Sequence, residues 1–387
     1  MKYLKFFLIF ISLAYTQYIH AQEFTFIKNL VNLDSLIKTV RILSGEDSVF
    51  ITGTKTRIIE RHTEIGTNIA ADFIKERFSV LDLSVFDQKY SATGRNIYAI
   101  QEGSTIPDSF FIICAHFDSV TDFCADDNAS GTAAVLEAAR LLSDSCFRYS
   151  IIYALWDEEE LGLIGSFYFA SQLEVLKYKI KGVINLDMIG YDSNDDRIFE
   201  IHVNDLPSAN RIKDEILRTV TDYDLELNPS VRNPGTSGSD HTPFRLREIG
   251  AVLIIEGLQS GDFNKFYHSA NDRIDKFSVG YFHELSKLGI ISLASLAEPC
   301  GESSSVINAP QELVFVYPNP TEGVFKILKS SDSISQIILT DIYGNIICSS
   351  FIENEVQFDL SQYEKGIYFI SIKGNNSVII RKIVKSY

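Results

Sequence analysis

Short apolar runs alternate with stretches of helical periodicity through most of the chain. Helical spacing is seen at Gln22–Ser44, where Leu30, Leu33, Ile37 and Val40 recur. It returns at Gly66–Phe78, with Ile65, Ile69 and Phe73 on one row and Ala70, Ile74 and Phe78 on the next. Strands are predicted at Leu83–Tyr90 and Arg95–Gln101. Phe110–Ala115 (FFIICA) follows, an unbroken apolar run of the kind found in strands buried on both faces. From there a helix at 131–142 leads to a strand at Ser150–Trp156, and a helix around 161–173 to a strand at Gly182–Asp187. A helix near 207–220 precedes a strand at Ala251–Glu256, and a last helix spans about 279–297. This βα alternation predicts an α/β fold with a mainly parallel central sheet flanked by helices.

The pattern changes at Glu298. EPCGESSSVINAP is a Ser- and Pro-rich linker, placed at 299–310. Beyond it, runs rich in Ile, Val, Phe and Tyr alternate with Gly, Asn and Asp turns, predicting a small all-β sandwich over 311–387. At the other end Lys2 and Lys5 precede an apolar run, Phe6–Ala14, and then Ala21. That is the arrangement of a signal peptide, residues 1–21, rather than a membrane-spanning helix, since Ser12, Thr16 and Gln17 interrupt it. The remaining stretch, 22–298, is the expected catalytic domain.

Two bounds follow from charge and cysteine content. The formal net charge is −16, and loss of Lys2 and Lys5 with the leader makes it −18. Such a balance disfavours nucleic acid and anionic membranes as partners. Five cysteines remain, Cys114, Cys124, Cys146, Cys300 and Cys348. An odd number leaves at least one unpaired; a bridge at Cys124 would brace the neighbouring loop, but the pairing is not readable.

Chemistry gathers where strands end. The first buried strand finishes in His116-x-Asp118, followed by Asp126-Asp127-Asn128-Ala129-Ser130-Gly131. The next runs into Asp157-Glu158-Glu159-Glu160, and the third ends in Asp187. Acidic residues at a helix start are ordinarily a solvated cap, but that does not explain three consecutive strand ends. Sites in open α/β sheets form at those ends, and clustered carboxylates need a cation between them. His268, in Tyr267-His268-Ser269-Ala270-Asn271-Asp272, offers a second nitrogen. Imidazole nitrogen and carboxylate oxygen suit Zn²⁺, with cobalt or manganese as substitutes. The donors divide between two ions: His116 and Asp187 on one, Glu160 and His268 on the other, and Asp127 bridging. Glu159 is then free as general base for a metal-activated water, and Asp118 fixes the tautomer of His116. Ser239-Asp240-His241 is no nucleophile triad, because adjacent side chains diverge. It either shapes the substrate side or caps the following helix.

HFDS, ADDNASG, EEELGLIGS, NLDMIG and YHSANDRID occur in the order seen in the bacterial leucyl aminopeptidase family of co-catalytic zinc metallopeptidases, which the chain resembles over about residues 30–297. The resemblance implies a zinc-exopeptidase fold and two zinc ions held by His116, Asp127, Glu160, Asp187 and His268. It also implies Glu159 as base and removal of N-terminal residues from peptides. Some members carry a tyrosine before Ser-Asp-His that holds the reacting carbonyl; here Thr236, Ser237 and Gly238 stand there, and that group is unassigned. Rival readings are a single-zinc glutaminyl cyclase and a carboxypeptidase, for which Arg232, Arg245 and Arg247 are candidate carboxylate binders. A non-catalytic binding protein would lack a ligand or base, and none is missing. VYPNPTEG, DIYGN and KGIYFISI resemble the C-terminal sorting domain of the type IX secretion system, the alternative being an adhesive or carbohydrate-binding sandwich. That second resemblance implies passage through the outer membrane, a secreted or cell-surface location and the secretion machinery as partner, with no stable membrane insertion.

Overall fold

The computed structural model describes residues 24–300 except 26, and 314–386 except 330–334, 343 and 374–377. The expected leader and most of the expected linker lie outside these residues. The chain divides into two compact units between Cys300 and Gly301.

The first unit is built on one eight-stranded sheet. After a small hairpin, β1 (Val49–Ile51) and β2 (Thr54–Thr56), come β3 (Ser84–Lys89), β4 (Arg95–Gln101), β5 (Ile106–His116) and β6 (Tyr149–Trp156). Then follow β7 (Lys179–Leu186), β8 (Ile198–His202), β9 (Asn228–Arg232) and β10 (Ala251–Ile255). The sheet order is β3-β4-β6-β5-β7-β10-β8-β9. Only the central four, β6-β5-β7-β10, run parallel to one another throughout; β4 and β8 join them antiparallel. β8 and β9 were not predicted: each is only five residues long, and β9 (NPSVR) is mostly polar.

The apolar run of β5 is buried on both faces. Phe110, Ile112 and Cys114 pack with Trp156, Phe169 and Phe244 on one side. On the other, Phe111 and Ile113 meet the layer that carries Ile212 and Gly289, from the helices Pro207–Asp222 and Val279–Ala297. Each buried Ile or Phe contributes about 1.5–3 kcal/mol, so this strand pins the sheet between two helical layers. The predicted helix at Gln22–Ser44 is interrupted at Val31–Asn32. Asn32 Oδ1 accepts from Ser35 N at 2.9 Å and caps a separate helix, Leu33–Leu43. In the helix Glu64–Ser79, Ala70, Ile74 and Phe78 face the core, whereas Ile65 is 74 % exposed.

The second unit is a pair of antiparallel sheets. β11 (Val314–Tyr317), β12 (Val324–Lys329) and β15 (Glu355–Asp359) form one. β13 (Ser335–Asp341), β14 (Ile346–Ile352), β16 (Gly366–Lys373) and β17 (Val378–Lys385) form the other. Phe325, Ile327, Ile337, Leu339, Ile370 and Ile372 fill the space between them. Among the described residues no helix is long and apolar enough to cross a membrane.

Cys146 and Cys300 form a disulfide that closes a span of 154 residues and ties the end of the first unit to the loop before β6. Cys114, Cys124 and Cys348 are free, so no bridge braces the Cys124 loop. Loop-closure entropy places the contribution of such a bridge at about 2–5 kcal/mol. Cys146→Ser is therefore expected to lower the urea midpoint by that equivalent, and mild reductant to do the same to the wild type. Coincident unfolding curves would refute it.

Candidate metal centre

The register of the parallel strands sets the site. His116 lies level with Trp156, and Cys114 pairs with Asn185, so Asp187 stands beside His116 on the next strand. Asp157–Glu160 leaves the end of β6, and Glu256 the end of β10. After β5 the chain makes one wide turn, Ala125–Ser130, before the helix Gly131–Leu142. That turn presents Asp127, and Asn128 fastens it: Nδ2 donates to Leu186 O at 2.9 Å and Oδ1 accepts from Gly131 N at 2.8 Å. Gly131 is needed there, because a Cβ would stand 2.4 Å from Leu186 O.

His116 Nε2 lies 3.3 Å from Asp127 Oδ1 and 3.4 Å from Asp187 Oδ1. His268 Nε2 lies 3.4 Å from Asp127 Oδ2 and 3.2 Å from Glu160 Oε2. Each oxygen of Asp127 thus faces a different imidazole, giving two donor sets, His116/Asp127/Asp187 and Asp127/Glu160/His268, that share one residue. Tetrahedral zinc with bonds of about 2.0–2.1 Å holds its donors about 3.3–3.4 Å apart, and the measured separations agree. Asp127 Oδ2, Glu160 Oε1 and Asp187 Oδ1 are buried without a hydrogen-bond partner, as donors awaiting a cation would be. The first set is deeply buried; in the second, His268 is 41 % exposed and holds a left-handed φ of 55°.

Asp118 Oδ1 faces His116 Nδ1 at 3.3 Å, and its other oxygen accepts from Glu160 N at 3.1 Å. Glu159 groups with His116 and Glu160. Several residues that hold this arrangement were not legible as such. Ser239 Oγ donates to Asp187 Oδ2 at 2.6 Å and accepts from Asn185 Nδ2 at 2.7 Å, so it braces a site carboxylate. Asp272 accepts from the backbone N–H of Asp126 and Asp127, and Asn264 Nδ2 donates to Asp126 Oδ2 at 2.9 Å. Ser239 and Asp272 sit inside motifs already singled out; Asn264 carries no such signal. The ring of Tyr267 stacks on His268 with centroids 3.6 Å apart. Burial and the charges of Asp127, Glu160, Asp187 and Glu159 raise its phenol pKa, so it stays protonated.

The cluster is short of positive charge. Burial, then the charge of Asp127, pushes Glu160 up to about 9. Burial raises Glu159 well above the carboxylate range, and takes Asp240 to about 7, Asp157 to about 8 and Asp272 to about 8. Burial opposes protonation of His116, yet Glu159 and Asp187 hold its pKa well above the imidazole value.

Residues 96–290 match the sequence profile of peptidase family M28, and the chain belongs to that family. Residues 315–386 match the secretion system C-terminal sorting domain. Among curated proteins it is 32 % identical over 214 residues to leupeptin-inactivating enzyme 1 of Streptomyces exfoliatus, covering 53 % of this chain and 45 % of that protein. It is 29 % identical over 253 residues to aminopeptidase YwaD of Bacillus subtilis, covering 64 % and 51 %. The chain thus spans about half the length of these relatives. Among solved structures, the LapA aminopeptidase of Legionella pneumophila superposes with a TM-score of 0.60 at 20 % identity, covering 71 % of this chain and 75 % of that one. A Bacteroides thetaiotaomicron glutaminyl cyclase does so with 0.55 at 18 %, covering 68 % and 97 %. At those identities the likeness is one of fold.

The raised carboxylates give a pH dependence. Folded, metal-free protein keeps protons that the unfolded chain releases, so its stability falls as pH rises from about 4, the ordinary carboxylate value, towards about 9 for Glu160. Chelator-treated protein is expected to melt lower at pH 9 than at pH 6, and zinc to recover more at pH 9. A melting temperature flat over this range would show that the cluster lacks no positive charge.

Proposed function

We propose that the chain is an exported zinc aminopeptidase that hydrolyses N-terminal residues from peptides. The observation that carries the reading is the pair of donor sets joined through the two oxygens of Asp127. His116, Asp127 and Asp187 would hold one zinc, and Asp127, Glu160 and His268 the other. Bound zinc supplies Lewis acidity to the scissile carbonyl and acidity to the attacking water.

The chain's own residues do the rest. Glu159 accepts the proton of the water whose oxygen attacks the carbonyl carbon, and returns it to the amine nitrogen as the C–N bond breaks. Asp118 orients His116 through Nδ1, leaving Nε2 for the metal side. Tyr267, whose ring stacks on His268, is the residue we assign to the helper position that Thr236–Gly238 leave empty. The excess of carboxylates around the centre suits a free α-amine.

The rivals have less support. A one-zinc cyclase needs no second donor set, yet Asp127, Glu160 and His268 form one. A carboxypeptidase needs a guanidinium for the terminal carboxylate. Arg245 donates to Ala251 O, Thr236 O and His202 O, Arg232 is matched by Glu200 at 2.8 Å, and Arg247 donates to Pro243 O. The sorting domain supports passage through the type IX machinery to the surface or medium, and the Cys146–Cys300 bridge suits an oxidising location.

The test uses purified protein with measured zinc content, assayed on aminoacyl-p-nitroanilides and on a glutaminyl peptide. Wild type is expected to bind two zincs and release p-nitroaniline. Glu159→Ala should keep both zincs and lose about 10²–10⁴ in kcat, His268→Ala should lose one zinc, and Asp127→Ala both. One zinc per chain with cyclisation of the glutaminyl peptide would establish the cyclase instead.

A further inference from the structure

Arg61 is far in sequence from every residue of the centre and belongs to no motif, yet it is wholly buried. Its guanidinium meets no carboxylate at ion-pair distance among the described contacts. Instead Nε donates to Phe117 O at 2.7 Å, Nη1 to Leu43 O at 2.5 Å and Phe123 O at 2.8 Å, and Nη2 to Cys124 O at 2.8 Å. Three of those carbonyls belong to the loop that runs from His116 to Asp127. The main chain of Arg61 grips the same loop: its N–H donates to Ser119 Oγ, and its carbonyl accepts from Ser119 N, both at 3.2 Å. Next to it, Phe123 N donates to Ile59 O at 2.7 Å, and Glu60 bridges to Asp122.

A planar guanidinium presents five donors in a fixed fork. Here the fork sets the curvature of a loop whose two ends supply donors to the metal centre. Placing a cation among carbonyls, out of water, is costly unless its charge is answered nearby. The carboxylates of Asp118, Asp127 and Asp272 lie within its field. Arg61 therefore sets a positive charge against this loop, within the field of the acidic cluster.

We propose that Arg61 is a positioning residue for zinc binding: by clamping the 117–124 loop it fixes the span between His116 and Asp127, and through Asp127 it acts on both donor sets. The inference rests on the metal-centre part of the function proposed above and not on the choice of substrate.

The test is a zinc titration of the full chain against a chromophoric chelator, with no substrate present, alongside far-UV circular dichroism and thermal melts. Arg61→Met is expected to weaken zinc at least about tenfold, the scale of losing an outer partner of a metal site. Arg61→Lys, which keeps the charge but spans fewer carbonyls, should fall between Arg61→Met and wild type. Ser119→Ala, which loosens the same loop from its other side, should weaken zinc by a smaller factor. Cys146→Ser serves as the control for lowered stability remote from the centre and should bind zinc as wild type does. If Arg61→Met does not fold, Arg61→Lys and Ser119→Ala decide. Zinc affinity within twofold of wild type in the folded Arg61 variants overturns the proposal, as does equal weakening in Cys146→Ser. A wild type that binds zinc but cleaves no aminoacyl substrate overturns only the proposed function.

Discussion

Mutual repulsion among buried carboxylates is the constraint on which the centre depends. Asp118, Asp127, Glu159, Glu160, Asp187 and Asp240 converge on His116 and His268, with the Arg61 guanidinium behind the loop, and burial removes the water that would otherwise screen them. Such a cluster persists in a folded chain by taking up protons or by binding a cation. The imidazole nitrogens favour the cation, since each faces two carboxylate oxygens at 3.2–3.4 Å, a spacing set for an ion rather than for hydrogen bonds. The surrounding structure serves mainly to hold those groups together against their repulsion.

The sheet supplies the first level of that restraint. Adjacent parallel strands lie about 4.8 Å apart, so strand ends in register place side chains within reach of one ion. The second level is polar. Ser239 on Asp187, Asp272 beneath the backbone of Asp126 and Asp127, Asn128 on Leu186, and Asp118 on Glu160 each fix one contributor through a hydrogen bond. The two donor sets differ in their setting. His116 and Asp187 stand on strand ends and are buried, whereas His268 stands on a loop and is open to solvent. The second set depends more on its loop and less on the sheet.

Apolar periodicity determined the α/β class, the run of buried strands and the separate β-rich tail, because burial on two faces, one face or one stripe leaves distinct spacings in a sequence. The convergence of His116, Asp127, Glu160, Asp187 and His268 was legible for the same reason: three of them, His116, Glu160 and Asp187, follow apolar runs closely enough to stand at strand ends. Chain spacing could not reveal β8 and β9, five-residue strands too short to carry a period, nor the break at Val31–Asn32. The Cys146–Cys300 pair, the hydrogen bond from Ser239 to Asp187 and the clamp by Arg61 on the 117–124 loop join residues 52 to 154 positions apart or meet backbone carbonyls, which leave no side-chain signature. Donor chemistry is a property of residue type and is written in the sequence; the register, the shared use of Asp127 and the positions of its braces are properties of packing, decided only when the strands align.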